Sequence, residues 1–257
     1  MSEAFLRTEV LNCYFSGLRA VADLTFEVRP GQIKGVIGPN GAGKSTLFNM
    51  IAGVTRPSSG RIWFDGRPVE NLPAFRRAEL GIARTFQNLQ IFREMTVLEN
   101  VVAGRHQHGR ASFVAALLHT PAVRTENRAM AESAMRLLER FGLADKAQRP
   151  AGALSFGQMK ILELARALAC EPRLLLLDEP AAGLPRADAD RMAEIIADLN
   201  RGGLTVLLVE HNMRMVMSLA HDILVLNNGE RIAEGAAESI RRNPDVLAAY
   251  LGESADA

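Results

Sequence analysis

A lysine and a hydroxyl, Lys44 and Ser45, close the run Gly38-Pro39-Asn40-Gly41-Ala42-Gly43-Lys44-Ser45. The spacing matches G-x-x-x-x-G-K-[ST], a loop whose backbone wraps phosphate groups. Glycines let successive N–H groups turn toward an anion, and the helix begun by Thr46 adds the positive end of its dipole. Lys44 is placed to reach the β- and γ-phosphates of a nucleoside triphosphate, and the Ser45 hydroxyl to ligate Mg²⁺. A Gly-rich turn with a chance lysine is the bland alternative. The setting argues against it: residues 33–37 read as a short buried strand and residues 46–51 as the first turns of a helix.

Two further groups of residues have chemistry to offer. Leu174-Leu175-Leu176-Leu177-Asp178-Glu179 is an apolar strand ending in an acidic pair. Such a strand delivers carboxylates to the carboxyl edge of a parallel sheet, where ligands bind. Asp178 is suited to hold Mg²⁺ through its water shell, and Glu179 to orient or deprotonate an attacking water. Leu154-Ser155-Phe156-Gly157-Gln158 precedes a helix carrying Ile161, Leu164, Ala165 and Leu168. Ser155 and Gly157 can present a hydroxyl and N–H groups to an anion there, although a serine N-cap beside a glycine reads the same way.

The elements that must carry these residues follow from the hydrophobic pattern. Residues 10–14 and 24–28 alternate as antiparallel strands, with a turn at Pro30-Gly31. Residues 61–64 followed by Asp65-Gly66 give a hairpin signal. Met130, Ala134, Leu137, Leu138 and Phe141 recur at helical spacing, with Glu132, Arg136, Glu139 and Arg140 opposite and Gly142 at the end. Residues 174–177 and 204–209 read as buried strands with a helix over 187–200 between them, and 223–226, Asn227-Asn228-Gly229 and 231–233 as a closing hairpin. This pattern predicts an α/β fold with a mostly parallel sheet. The expected division is a nucleotide-binding core over 1–88 and 160–257, with a helical subdomain over 89–159.

Composition narrows the function classes. The chain has 257 residues, 48% of them hydrophobic and 23% charged, and a net charge of +1. That balance is ordinary for a globular protein and gives no electrostatic ground for binding nucleic acid. Cys13 and Cys170 are its only cysteines; both sit in apolar segments and are expected to be buried thiols in a reducing compartment. The N-terminus lacks a basic and apolar leader pattern, and no apolar run reaches bilayer-spanning length. A membrane role would therefore run through another polypeptide.

The loop at 38–45, Gln87, residues 154–158, Asp178-Glu179 and His211 resemble, in order and rough spacing, the ATP-binding subunits of ABC transporters. The resemblance implies a RecA-like P-loop NTPase core with an N-terminal antiparallel β subdomain and an inserted α-helical subdomain. It implies that Gln87 touches Mg²⁺ and the attacking water beside the contact with a transmembrane subunit, and that His211 contacts the γ-phosphate. Phe15 would stack on adenine, with Tyr14 its adjacent rival. Ser155, Phe156, Gly157 and Gln158 would cap the nucleotide bound to a second subunit, so two cassettes pack head to tail as a homodimer or heterodimer. Phe156 and Pro185 depart from the glycine and aspartate common at those positions in the family.

Residues 83–88 and 92–100, Asp178 to Leu184, Val209 to Met213, and the tail over 243–253 are similar to the branched-chain amino acid importers. The Ala-rich insert around 111–128 is similar to the larger of the two ATPase subunits in such systems. A permease and an extracytoplasmic solute-binding protein would be partners, and the chain would lie on the inner face of the membrane. Leu89, Ile91, Phe92 and Met95 would form a groove for a permease helix, or pack into the helical subdomain. Import of related small polar solutes such as urea or short amides, lipid or lipopolysaccharide export, a non-transport ABC ATPase, and a nucleotide-gated scaffold stay as alternatives.

Overall fold

The computed structural model describes residues 4–85, 89–105 and 121–251. They form two compact units, one drawn from residues 1–84 with 173–257 and the other from 85–172. In chain order the first unit supplies β1 (Leu6–Phe15), β2 (Leu18–Val28), β3 (Ile33–Ile37), α1 (Lys44–Ala52), β4 (Ser59–Phe64), β5 (Arg67–Pro68), α2 (Ala74–Glu79) and β6 (Ile82–Arg84). The second supplies α3 (Val97–Gly104), α4 (Pro121–Arg140) and α5 (Phe156–Leu168). The first resumes with β7 (Leu174–Asp178), α6 (Arg186–Arg201), β8 (Thr205–Val209), α7 (Met213–Leu219), β9 (Asp222–Asn227) and β10 (Glu230–Gly235). It ends with α8 (Ala237–Arg241) and α9 (Pro244–Leu251).

The larger sheet runs β10-β9-β3-β8-β7-β6, parallel throughout except where β10 pairs antiparallel with β9. Every residue of β3, β7 and β8 is buried, as expected of parallel strands covered on both faces. Gly35 in β3 is needed for that covering: a Cβ there would lie 2.9 Å from Val216 Cγ1 of α7. The smaller sheet runs β2-β1-β4-β5 and is antiparallel. One apolar cluster joins the two sheets through α1, drawing Leu11 and Phe26 from the small sheet, Leu47 and Phe48 from α1, and Leu174 and Leu176 from β7.

The hairpin signals at Asp65-Gly66 and Asn228-Gly229 are two-residue turns with both φ positive, at 49° and 73° and at 48° and 81°. Ser16-Gly17, joining β1 to β2, is a third, at 46° and 90°. This geometry matches the right-handed twist of the flanking strands. β6 was not anticipated, because three residues are too few to show a period.

In the helical unit, Ala134, Leu138 and Phe141 are buried while Glu132, Arg136, Glu139 and Arg140 are exposed. Gly142, at φ 69°, stops the helix, and Leu143 N–H returns to Leu138 O at 2.8 Å. The unit reaches further than the expected 89–159. Helix α5 belongs to it because α5 packs on α3, and a Cβ on Gly104 of α3 would lie 2.2 Å from Arg166 O. The expectation for the cysteines needs one correction. Cys13 is buried, but Cys170 is half-buried at the end of α5, its thiol donating to Ala167 O at 3.0 Å. Burial raises both thiols above the ordinary cysteine range. Among the described residues, no helix is long and apolar enough to cross a membrane.

Candidate functional site

Three adjacent strands of the larger sheet, β3, β8 and β7, end at one edge, and each ends in residues singled out above. β3 runs directly into the glycine loop. Gly38 has φ 152° and Gly43 φ 96°, and side chains there would strike Leu226 O at 2.1 Å and Ala20 O at 2.4 Å. Only glycine fits either position, since the backbone of β9 and β2 forms the wall of the loop. Gly229 N–H to Ala42 O (3.1 Å) and Ala22 N–H to Gly229 O (2.8 Å) lock that wall in place.

Gly43 caps α1 with no side-chain hydrogen bond, and no acidic residue occupies the first turn. The N-terminal N–H groups of α1 thus lack a built-in carboxylate, which leaves the positive end of the dipole available to an anion. Lys44 is buried, and its ammonium donates to Gly38 O at 2.6 Å and Pro39 O at 2.7 Å. Asn40, Gly41 and Ser45 are exposed, Gly43 and Thr46 partly so, and Ala42 is buried.

Asp178 ends β7 and is buried, its Oδ2 accepting from Arg84 Nη2 at 2.8 Å. Arg84 also donates to Asn49 Oδ1 at 2.6 Å, and its guanidinium lies 5.8 Å from the Phe48 ring centroid. Sequence reasoning missed Arg84. An arginine at the inner end of a three-residue strand gives no periodic signal, although such a position must find an anion to be tolerated.

Glu179 follows with φ 49°, the left-handed region that disfavours a side chain. Its N–H bonds Val209 O at 2.9 Å, and its Oε1 lies 2.7 Å from Nε2 of His211, the second residue after β8. An ionised carboxylate only accepts, so Nε2 carries the proton in this contact. The pair is half open, with 14% of the Glu179 side chain and 46% of the His211 side chain accessible. Glu210, also missed, sits between β8 and His211, buried, and accepts from three backbone N–H groups. The rule that drew attention to Asp178, an acid ending an apolar strand, applies equally to Glu210.

Tyr14 and Phe15 are 49% and 47% exposed near the β1–β2 turn, so neither is a core aromatic. In the helical unit Ser155 caps α5 through a capping box, its Oγ accepting Gln158 N–H at 3.3 Å and Gln158 Oε1 accepting Ser155 N–H at 3.2 Å. Ser155 is exposed and its hydroxyl retains a proton to donate. Phe156 is exposed beside Lys160, whose ammonium lies 6.0 Å from the ring centroid, and Gly157 is buried. Phe92 and Met95 are exposed rather than packed inside, with the Arg166 guanidinium 5.5 Å from the Phe92 centroid. Pro185 is the N-cap of α6, its carbonyl accepting Ala189 N–H at 3.0 Å, a bond that does not use the N–H proline lacks. Gln87 lies outside the described residues, as do Phe86, Asn88, residues 106–120, which include the first part of the Ala-rich insert, and the end of the tail from 252.

Residues 21–182 match the family model described as ABC transporter, and residues 230–256 match that described as branched-chain amino acid ATP-binding cassette transporter. The chain is 44% identical over 255 residues, 99% of its length and 100% of the other, to the high-affinity branched-chain amino acid transport ATP-binding protein BraF of Pseudomonas aeruginosa. It is 42% identical, with the same coverage, to the corresponding protein LivG of Escherichia coli. A crystal structure of the ADP conformation of an ATP-binding cassette of an ABC transporter superposes with TM-score 0.85 at 35% identity, covering 97% of this chain and 99% of that one.

Proposed function

This chain belongs to the ABC transporter family, and from that premise we propose that it is the ATP-binding subunit of a branched-chain amino acid importer, hydrolysing ATP to drive a separate permease. The observation that carries the chemistry is the shared edge of β3, β7 and β8, where Lys44, Asp178, Glu179 and His211 arise from neighbouring strand ends.

Apart from Gln87, which lies outside the described residues, each residue has a role its surroundings support. Residues 38–46 bind the triphosphate through backbone N–H groups. Lys44 is held inside the loop by two carbonyls, and phosphate oxygens replace them as the nucleotide enters. The hydroxyl of Ser45 and the buried carboxylate of Asp178, with the amide of Gln87, are oxygen donors of the kind Mg²⁺ requires. When bound, Mg²⁺ neutralises charge on the β- and γ-oxygens. Glu179 accepts a proton from water as that oxygen bonds to the γ-phosphorus; the bond from phosphorus to the bridging oxygen breaks, and ADP leaves carrying the electron pair. His211 donates from Nε2 to Glu179 and so fixes the direction of the carboxylate before the γ-phosphate arrives. Phe15 or Tyr14 supplies an aromatic face for adenine.

A second cassette, identical or related, completes each site by presenting Ser155 to Gln158 to the γ-phosphate. The exposed Phe92 and Met95 offer apolar surface to a permease helix. The subunit then works on the cytoplasmic face of the membrane, while a solute-binding protein on the far side selects the amino acid. The test is phosphate release in Mg²⁺ and ATP, with and without Glu179→Gln. The variant is expected to lose at least about a hundredfold in rate and to elute as a nucleotide-bound dimer. Turnover at the parental rate refutes Glu179 as the base.

A further inference from the structure

Glu210 is 3% exposed, yet its carboxylate has no basic partner among the hydrogen bonds and ion pairs described for it. Three backbone donors satisfy it instead. Oε1 accepts Ala181 N–H at 2.7 Å, and Oε2 accepts His211 N–H at 3.0 Å and Asn212 N–H at 3.1 Å. A carboxylate held by fixed amide dipoles makes stronger bonds than a neutral acceptor would, which is what its removal from water demands.

The two arms grip different segments. Ala181 lies in the turn after β7, where Ala182 N–H closes back on Glu179 O at 3.1 Å; His211 and Asn212 lie in the turn after β8. β7 and β8 are register partners up to Asp178 and Val209, and sheet pairing ends there. Beyond it, Glu179 holds a left-handed φ of 49°, a conformation that persists only when its surroundings over-determine it. α7 has its own cap, the Asn212 side chain accepting Met215 N–H at 3.2 Å, so none of the three Glu210 bonds is needed to begin it, the one to Ala181 least of all.

We propose that Glu210 is a positioning residue that staples these two turns together and thereby sets the contact between Glu179 and His211. The proposal rests on the reading that those two groups direct the hydrolytic water. Glu210 touches neither nucleotide nor water; it acts through the backbone of its neighbours.

Glu210→Gln tests this, because the amide keeps the size of the side chain but turns an NH₂ toward one of the backbone donors. Turnover is expected to fall about tenfold to a hundredfold while KM for ATP stays within about twofold, since the Lys44 loop is untouched. In a His211→Ala background the same change is expected to lower kcat by less than about twofold more, because the pair it positions is already gone. Parental kcat in Glu210→Gln, or losses that multiply fully in the double variant, overturns the proposal. Amide hydrogen exchange at Ala181, His211 and Asn212 in the full chain is expected to quicken by at least about tenfold in Glu210→Gln. Unchanged exchange overturns the staple even if the parental chain shows no hydrolysis, whereas absent hydrolysis with quickened exchange faults only the catalytic reading. Should Glu210→Gln not fold, Glu210→Asp keeps the charge on a shorter arm. It is expected to quicken exchange at Ala181 alone, and equal effects at all three amides or none overturn the proposal.

Discussion

Individual residues of the site divide into those that spacing exposes and those that only packing explains. Lys44, Ser45, Asp178 and Glu179 stand in local patterns tied to a mechanism, so the sequence makes them visible. Arg84 is visible only after neighbouring strands bring Asp178 to it, 94 residues away. Glu210, though it follows an apolar strand as Asp178 ends one, shows its partner Ala181, 29 residues away, only in the fold. The glycines show the same division. Gly41 and Gly43 look alike in sequence, and both have positive φ, 78° and 96°, but a Cβ on Gly41 meets nothing within 4 Å while one on Gly43 meets Ala20 O at 2.4 Å. Gly41→Ala is therefore expected to cost only the conformational penalty, about 1 kcal/mol. Gly43→Ala adds displacement of the β2 backbone and is expected to cost about 3 kcal/mol and abolish nucleotide binding. Urea denaturation and titration with a fluorescent nucleotide distinguish the two. Equal behaviour of the two variants would mean that the wall of the loop yields more easily than its hydrogen bonds imply.

Among the elements, those with long or buried runs were legible, and those defined by tertiary context were not. β3, β7 and β8 announce themselves as apolar runs and α4 by its stripe; α3 does not. Helix α3 depends on Asn100, fully buried, whose Oδ1 accepts Phe92 N–H at 2.9 Å and whose Nδ2 donates to Phe92 O at 2.9 Å and Thr96 O at 3.0 Å. A polar residue on the inner face of a helix weakens the periodic signal that would have identified it. Thr96 starts the same helix through a capping box with Glu99, and those hydrogen bonds hold the Glu99 carboxyl below its usual range. Asn100→Ala strands backbone groups of the 92–96 segment and is expected to destabilise it by about 2–4 kcal/mol, against about 1 kcal/mol for Thr96→Ala. Hydrogen exchange of the α3 amides is the appropriate measurement, because the single tryptophan, Trp63, belongs to the other unit and its fluorescence would report there. If Asn100→Ala is no worse than Thr96→Ala, the inward amide is not what anchors the exposed Phe92.

On the scale of the whole molecule, the proposed function makes each site the joint property of two copies. Lys44→Ala and Ser155→Arg proteins should each be inactive, since every site in either dimer carries a defect. In a mixed dimer both defects fall in one site and the other is intact. Equal mixing is thus expected to restore about a quarter of the parental phosphate release if sites fire independently and subunits exchange freely. No recovery on mixing would place the two residues in one chain's site or make the two sites inseparable. The central position of β3 has a separate consequence. Its flanking strands are β8 and β9, contacts such as Gly31 to Thr205 span 174 residues, and the loop wall is closed by Leu226 and Gly229. A polypeptide leaving the ribosome therefore exposes its glycine loop early, with only the β2 side of the wall in place until β9 and the turn at Gly229 have emerged. Fragments that stop before β9 are therefore expected to carry the loop's residues without the wall at Leu226 and Gly229 that shapes them, and so to hold nucleotide far more weakly than the full chain.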